Sequence, residues 1–206
     1  MYPKNVIIEE RTLEGERLEL GDKNLRYYLG PNLIMRRCTL VLRVPSDLLH
    51  LAGPRFIECA IEVKRQLKDV SWWTANLKGC RLTGRFFSCD FGHFPNSKAF
   101  YEDVGWIEGC DFTAAHLHAC RFTGCDVDTL KLPRWPYFTL LEPHRRCREY
   151  ASMLWPREIR PWFTGYEQFH EATAAMTFSA TALAKEAGVG EDRIRALLEG
   201  HSDILY

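Results

Sequence analysis

The residues best equipped for chemistry in this sequence are its cysteines and histidines. Cys110, His116, His118, Cys120 and Cys125 crowd into one short stretch. Thiolates and imidazoles are the ligand types of a zinc site. A second group, His144, Arg145, Arg146 and Cys147, sketches an activated thiol, because neighbouring cations favour the thiolate. Spacing weighs against both readings. Structural zinc sites draw on close Cys-x-x-Cys pairs, and none occurs here. Seven of the eight cysteines instead stand two residues before a large apolar residue: Cys38, Cys59, Cys80, Cys89, Cys110, Cys120 and Cys125. Free cysteine is small, apolar and among the most buried residue types, so this placement reads as packing. His116 and His118 flank Leu117, which directs both away from any core that Leu117 enters. Cys147 falls in an amphipathic helix. The motifs GxSxG, HExxH, the P-loop and GxGxxG are absent. The expectation is no enzyme, no metal, no cofactor and no disulfide.

The elements that carry these residues follow a repeat. From Gly105 the chain reads in fives, Gly105-Trp106-Ile107-Glu108-Gly109, Cys110-Asp111-Phe112-Thr113-Ala114, and so on to Leu130-Lys131-Leu132-Pro133-Arg134. Every third position is large and apolar: Ile107, Phe112, Leu117, Phe122, Val127 and Leu132. Ala75-Asn76-Leu77-Lys78-Gly79 and Cys80-Arg81-Leu82-Thr83-Gly84 share the register. Arg85-Phe86-Phe87-Ser88-Cys89 fits loosely, and a one-residue slip then gives Cys89-Asp90-Phe91. A helix needs a period near 3.6 and a flat strand a period of two. A period of five requires a chain that turns a corner every few residues with the same face inward.

These pentads, over residues 71–92 and 105–134, resemble the pentapeptide-repeat family, whose pattern places Leu or Phe at the centre of each five. The resemblance implies a mainly β fold: a right-handed quadrilateral β-helix solenoid of about four pentads per coil. A longer spacing supports coiling independently. Cys38-Thr39-Leu40, Cys59-Ala60-Ile61 and Cys80-Arg81-Leu82 recur in equal steps, as a ladder up one wall would require. Cys120 lies close to two further such steps beyond Cys80 and is expected two turns higher. The coil is irregular before residue 71 and is expected to begin near Leu13 or Leu18, with Pro31, Pro45 and Pro54 in loops.

Two features break the repeat. Residues 93–104 interrupt well-registered pentads and hold Phe94, Phe100 and Tyr101 beside Glu102 and Asp103. Insertions in solenoids become surface loops, where recognition concentrates. Phe94, Tyr101, Glu102 and Asp103 are therefore candidate contacts for a protein partner. Trp72 and Trp73 are a further candidate patch, since alternation sends at least one outward. After Leu132 the pentads stop. The expected organisation is a solenoid over 1–140 and a C-terminal α-helical cap over 141–206, because an open solenoid end must be covered. Helices are predicted over 144–154, 166–187 and 191–200, with a turn at Gly188-Val189-Gly190.

Charge narrows the function. The 206 residues hold 27 Lys+Arg and 27 Asp+Glu, so there is neither a basic field for nucleic acid nor an acidic one to imitate it. The N-terminal stretch carries charges throughout, unlike a signal peptide, and no apolar run is long enough to span a membrane. A cytoplasmic location with reduced thiols is expected. Among bacterial pentapeptide-repeat proteins, some bind topoisomerase by resembling DNA, some are effectors with an added catalytic domain, and some resemble immunity proteins encoded beside toxins. The first role needs a long acidic coil and the second a catalytic motif. The expected function is a non-catalytic scaffold whose partner is a bacterial toxin domain, with no membrane and no nucleic acid. Two alternatives stand beside it. Residues 179–200 resemble a helix-turn-helix DNA reader, although Glu191 and Asp192 open the second helix where donors to DNA belong. An enzyme would have to use His144, Cys147 or the His116/His118 pair.

Overall fold

The computed structural model describes residues 3–95 and 105–206. Phe100, Tyr101, Glu102 and Asp103 lie outside the described residues.

The chain winds as a β-solenoid of about four turns. The first coil holds β1 (Lys4–Ile8), β2 (Thr12–Glu14) and β3 (Arg17–Leu20). The second holds β4 (Leu25–Leu29), β5 (Ile34–Arg36) and β6 (Thr39–Leu42). The third holds β7 (Leu49–Leu51), β8 (Arg55–Ile57) and β9 (Ala60–Lys68). Next come β10 (Asn76–Lys78), β11 (Arg81–Phe87) and β12 (Asp90–Gly92), then β13 (Ile107–Glu108), β14 (Ala115–His118) and β15 (Cys120–Thr123). Equivalent strands stack as parallel walls in the orders β1-β4-β7, β2-β5-β8-β10-β13 and β3-β6-β9-β11-β14. Coiling thus starts at Lys4, earlier than expected, because the first strands lack the pentad register but still pair in step with the next coil. Pro31, Pro45 and Pro54 lie outside the strands.

One corner explains the cysteines. Gly15, Arg37, Glu58, Gly79 and Gly109 occupy equivalent turns between the second and third walls, all with φ between 50° and 63°. This left-handed conformation swings the chain through the corner, at a cost of about 1–2 kcal/mol wherever the residue is not glycine. A cysteine follows four of these five residues. The thiols of Cys38, Cys59, Cys80 and Cys110 donate to the carbonyls of Arg36, Ile57, Lys78 and Glu108 at 3.2–3.5 Å. Each of these carbonyls also accepts a backbone N–H from the neighbouring coil, from Gly15, Arg37, Glu58 and Gly79 at 2.7–2.9 Å, so the small thiol donor fills the second lone pair of a ladder carbonyl at the corner. All four of these cysteines are buried.

The register above Cys80 differs from the expectation. Cys110, not Cys120, stands over Cys80: Arg81 pairs with Asp111, and Asp111 N donates to Cys80 O at 2.8 Å. Cys120 stands over Cys89 in the neighbouring wall, where Arg121 N donates to Cys89 O at 3.0 Å. The cause is the interruption after Gly92, which lengthens one coil. The step from Phe56 to its partner Leu77 repeats the cysteine spacing, whereas the step from Leu77 to its partner Ile107 contains the whole interruption. Inward positions follow the pentads: Leu77, Leu82, Phe112, Leu117 and Phe122 are buried. Val127 is only partly buried, in a 3₁₀ turn at the top of the coil.

The tail is less helical than its sequence suggests. It contains β16 (Tyr137–Leu141), α1 (Cys147–Ser152), β17 (Thr173–Ser179), α2 (Ala180–Ala187), α3 (Glu191–Leu198) and β18 (Ile204–Leu205). The helix predicted over 166–187 is thus strand over its middle, and β16 runs across the 140/141 division. The sheet order is β12-β15-β17-β16-β18, with β15 pairing antiparallel to β17. β17 caps the solenoid wall by occupying the outer edge of β15. Its run of small and apolar residues is buried along nearly its whole length, and periodicity alone does not separate such a strand from a buried helix. Behind this sheet lies a second core around Phe138, Trp155, Phe163 and Phe178.

Candidate functional site

Two of the candidate aromatics meet at the foot of the interruption. Trp73 leaves the coil in a 3₁₀ turn, Trp72–Thr74, while Phe94 follows β12. Their ring centroids lie 6.4 Å apart, and Phe94 also packs on His170 at 5.3 Å. Phe94 is 41% exposed. Trp72 corrects the sequence reading: it is fully buried, stacked on Phe91 at 5.9 Å, and presents no surface to a partner. The 3₁₀ turn sends the first indole inward and leaves the second partly exposed.

Beneath the aromatics lies an ion pair. Arg121 grips Asp90 through Nε and Nη2, at 2.5 and 2.8 Å. The two residues face each other across the lengthened coil on β12 and β15. The guanidinium also lies over Phe169, 5.5 Å from its centroid. His170 accepts a hydrogen bond at Nδ1 from Ala172 N (3.0 Å), so the neutral ring carries its proton on Nε2. Together these groups line a cleft of about 200 Å³ at the seam between solenoid and tail. Small-molecule sites usually measure roughly 300–1,000 Å³. This cleft has room for one side chain.

The backbone beneath is tightly fixed. A Cβ on Gly105 would lie 2.5 Å from Gly92 O and 2.6 Å from Trp73 O. Only glycine permits that approach, which ties both ends of the interruption to the turn that carries Trp73. Asp90, Arg121, Phe169 and His170 were missed in the sequence reading. The first two carried a signal. Cys89-Asp90-Phe91 and Cys120-Arg121-Phe122 are the same triplet with opposite charges, one extended coil apart. Phe169 and His170 sit in an irregular segment without such a mark.

No family model, curated protein or solved structure matches the chain.

The histidines and thiols are separately engaged. Nδ1 of His116 meets Tyr137 OH at 2.5 Å. His118 points out of the coil, as expected, but the tail covers it: Trp162 and Phe178 pack against its ring, and its Nδ1 accepts from Ser179 N at 3.2 Å. Burial lowers its pKa, against a weaker opposing pull from Glu186. Burial pushes the Cys120 thiol well up and holds Cys125 at about 12, which keeps both as protonated thiols. Cys147 opens α1 and packs against the second core, and its N–H, not its sulfur, meets His144, at the carbonyl (3.4 Å). Among the described residues, no group of three or more His, Cys, Asp or Glu is arranged to hold a metal ion. Also among them, no helix is long and apolar enough to cross a membrane.

The helix-turn-helix-like segment does form a hairpin. Ser179 Oγ caps α2, Gly188 ends it in the left-handed conformation, and α3 follows Gly190. Ile194 and Leu198 are buried in the second core, while Glu191 and Asp192 form the first turn of α3.

Proposed function

We propose that the protein is a non-catalytic binding scaffold, an immunity-type inhibitor that binds and neutralises a bacterial toxin domain in the cytoplasm. The observation that carries this reading is the aromatic corner of Trp73 and Phe94, set beside the Asp90–Arg121 pair on a stiff solenoid. A stiff scaffold loses little entropy on docking. Aromatic and arginine anchors dominate binding energy at such interfaces. The solenoid itself is read as right-handed, four-sided and of the pentapeptide kind, on the regular pentad spacing of the buried Ile107, Phe112, Leu117 and Phe122.

The regulator reading is disfavoured by charge. Glu191 and Asp192 stand where a DNA reader presents donors, and Arg195 lies over Trp135. Residues 141–206 hold eight Lys/Arg and ten Asp/Glu, a poor match to a phosphate backbone. The topoisomerase reading is disfavoured by an overall charge of zero.

The test is co-expression with the toxin domain encoded beside this gene. Wild type is expected to restore growth, and the Trp73→Ala, Phe94→Ala double variant to lose protection while keeping its circular dichroism. Loss of growth with wild-type protein present would contradict the immunity reading. Full protection by the double variant would contradict this corner as the contact.

A further inference from the structure

A second concave surface lies at the top of the solenoid, away from the aromatic corner. It is a groove of about 580 Å³ between the segment that closes the last coil and the outermost strand of the C-terminal sheet. Val127, Leu130, Leu132 and Leu205 are among its apolar lining residues, and Lys131 and Arg134 are its cations. No Asp or Glu lines it among the described residues. In a chain with no net charge this is a local concentration of cations. Lys131 is partly engaged, since it helps hold the Asp111 carboxyl below its usual pKa after the Thr113 hydrogen bonds. Arg134 is exposed and makes no ion pair among the described residues.

The strand beside the groove has an open edge. Among the described residues β18 pairs with β16 on one side only, Thr139 opposite Leu205 and Leu140 opposite Ile204, and it ends the sheet. Leu205 is 44% exposed. An unpaired edge is a template for another strand. An added strand alternates its side chains between two faces, so main-chain bonds give affinity and alternate pockets give specificity. The groove beside this edge offers such a strand both leucine and valine side chains and two cations.

We propose that this groove binds an extended acidic segment of a protein partner, added as a strand to β18, with apolar side chains on Leu130 and Leu132 and carboxylates on Lys131 and Arg134. The segment alternates apolar and acidic residues. The site is separate from the Trp73–Phe94 corner, and its occupancy does not depend on what that corner binds.

The experiment uses the full chain and three fluorescein-labelled octapeptides at trace concentration. One alternates Val and Glu, one alternates Val and Lys, and one is the Val-Glu peptide with alternate amides N-methylated. Fluorescence polarisation is expected to show the acidic peptide binding at least tenfold tighter than the basic one, with affinity falling as salt rises. Lys131→Glu with Arg134→Glu, both on the surface, is expected to reverse that order while Trp73→Ala leaves it unchanged. N-methylation is expected to weaken binding about tenfold or more by removing strand hydrogen bonds. Equal binding of the acidic and basic peptides, or none by the acidic one, would overturn the proposal. Undiminished binding of the N-methylated peptide would overturn strand addition. Equal competition by octanoate would reassign the groove to any apolar carboxylate and overturn the peptide reading.

Discussion

The solenoid and the tail solve the same problem, burying apolar surface, by opposite means. In the solenoid, one position recurs in coil after coil: Leu40, Ile61 and Leu82 stack in a single parallel wall, and each touches its own equivalent. In the tail, the second core gathers Phe138, Trp155, Phe163 and Phe178 from separate elements, with Trp155 and Phe163 stacked 3.6 Å apart. Repetition leaves a period in the sequence, whereas convergence leaves none. The two cores meet at one seam, where β17 pairs with β15 and His118 reaches from the coil into the tail's aromatics. The aromatic corner lies on that seam.

Removing the tail breaks the comparison most severely. A chain ending at residue 134 exposes the edge of β15, and is expected to aggregate on expression. A soluble, cooperatively folding 1–134 fragment would show that the coil needs no cap. Next in size are single cavities in each core. Phe122→Ala and Phe178→Ala should each destabilise by about 3–5 kcal/mol in urea titrations. Leu154→Ala, at an 80% exposed position, should stay within about 0.5 kcal/mol of wild type. If the seam makes one cooperative body, both Phe variants will lower the midpoint of the same single transition. Two resolved transitions would mean that the cores melt independently.

The seam carries a pH dependence. Burial lowers the His118 pKa, so the folded state favours the neutral ring and the unfolded chain takes up the proton first. Its contribution is present above the ordinary histidine value of 6.5 and is lost as pH falls below it. His50, lowered by burial and by Arg26, acts in the same direction. The Tm is expected to fall between pH 7.5 and pH 5.5, and His118→Gln to flatten part of that fall. An identical slope in the variant would rule out His118 as a source of the dependence.

The smallest effect concerns the ion pair. Asp90 and Arg121 are partly exposed, so Asp90→Asn should cost no more than about 1 kcal/mol. A much larger loss would make the pair a structural rivet of the long coil, and not a recognition element.

What was legible in the sequence follows from this contrast. The pentad period located Leu77, Leu82, Phe112, Leu117 and Phe122, and the break at residue 93 marked where the coil lengthens. The ladder of Cys38, Cys59 and Cys80 was legible because three coils are nearly equal in length. Its continuation to Cys110 was hidden, since a spacing argument fails once an insertion of unknown reach intervenes. Trp72 and Trp73 carried no mark to tell which faces inward, because a 3₁₀ turn follows neither strand nor helix alternation. The helix predicted over 166–187 gives way to β17 because pairing with both β15 and β16 outweighs the helix preference of its alanines and methionine.

The aromatic corner as a protein-binding surface is the central claim. Its most direct measurement is calorimetric titration of the purified chain with the partner proposed above, a toxin domain from a neighbouring gene, for wild type and for Trp73→Ala with Phe94→Ala. The prediction is one-to-one binding of wild type in the nanomolar range, weakened about 100-fold or more in the variant, as expected when two anchors are removed. Absence of heat with the wild-type chain, or equal affinity for both proteins, would contradict it.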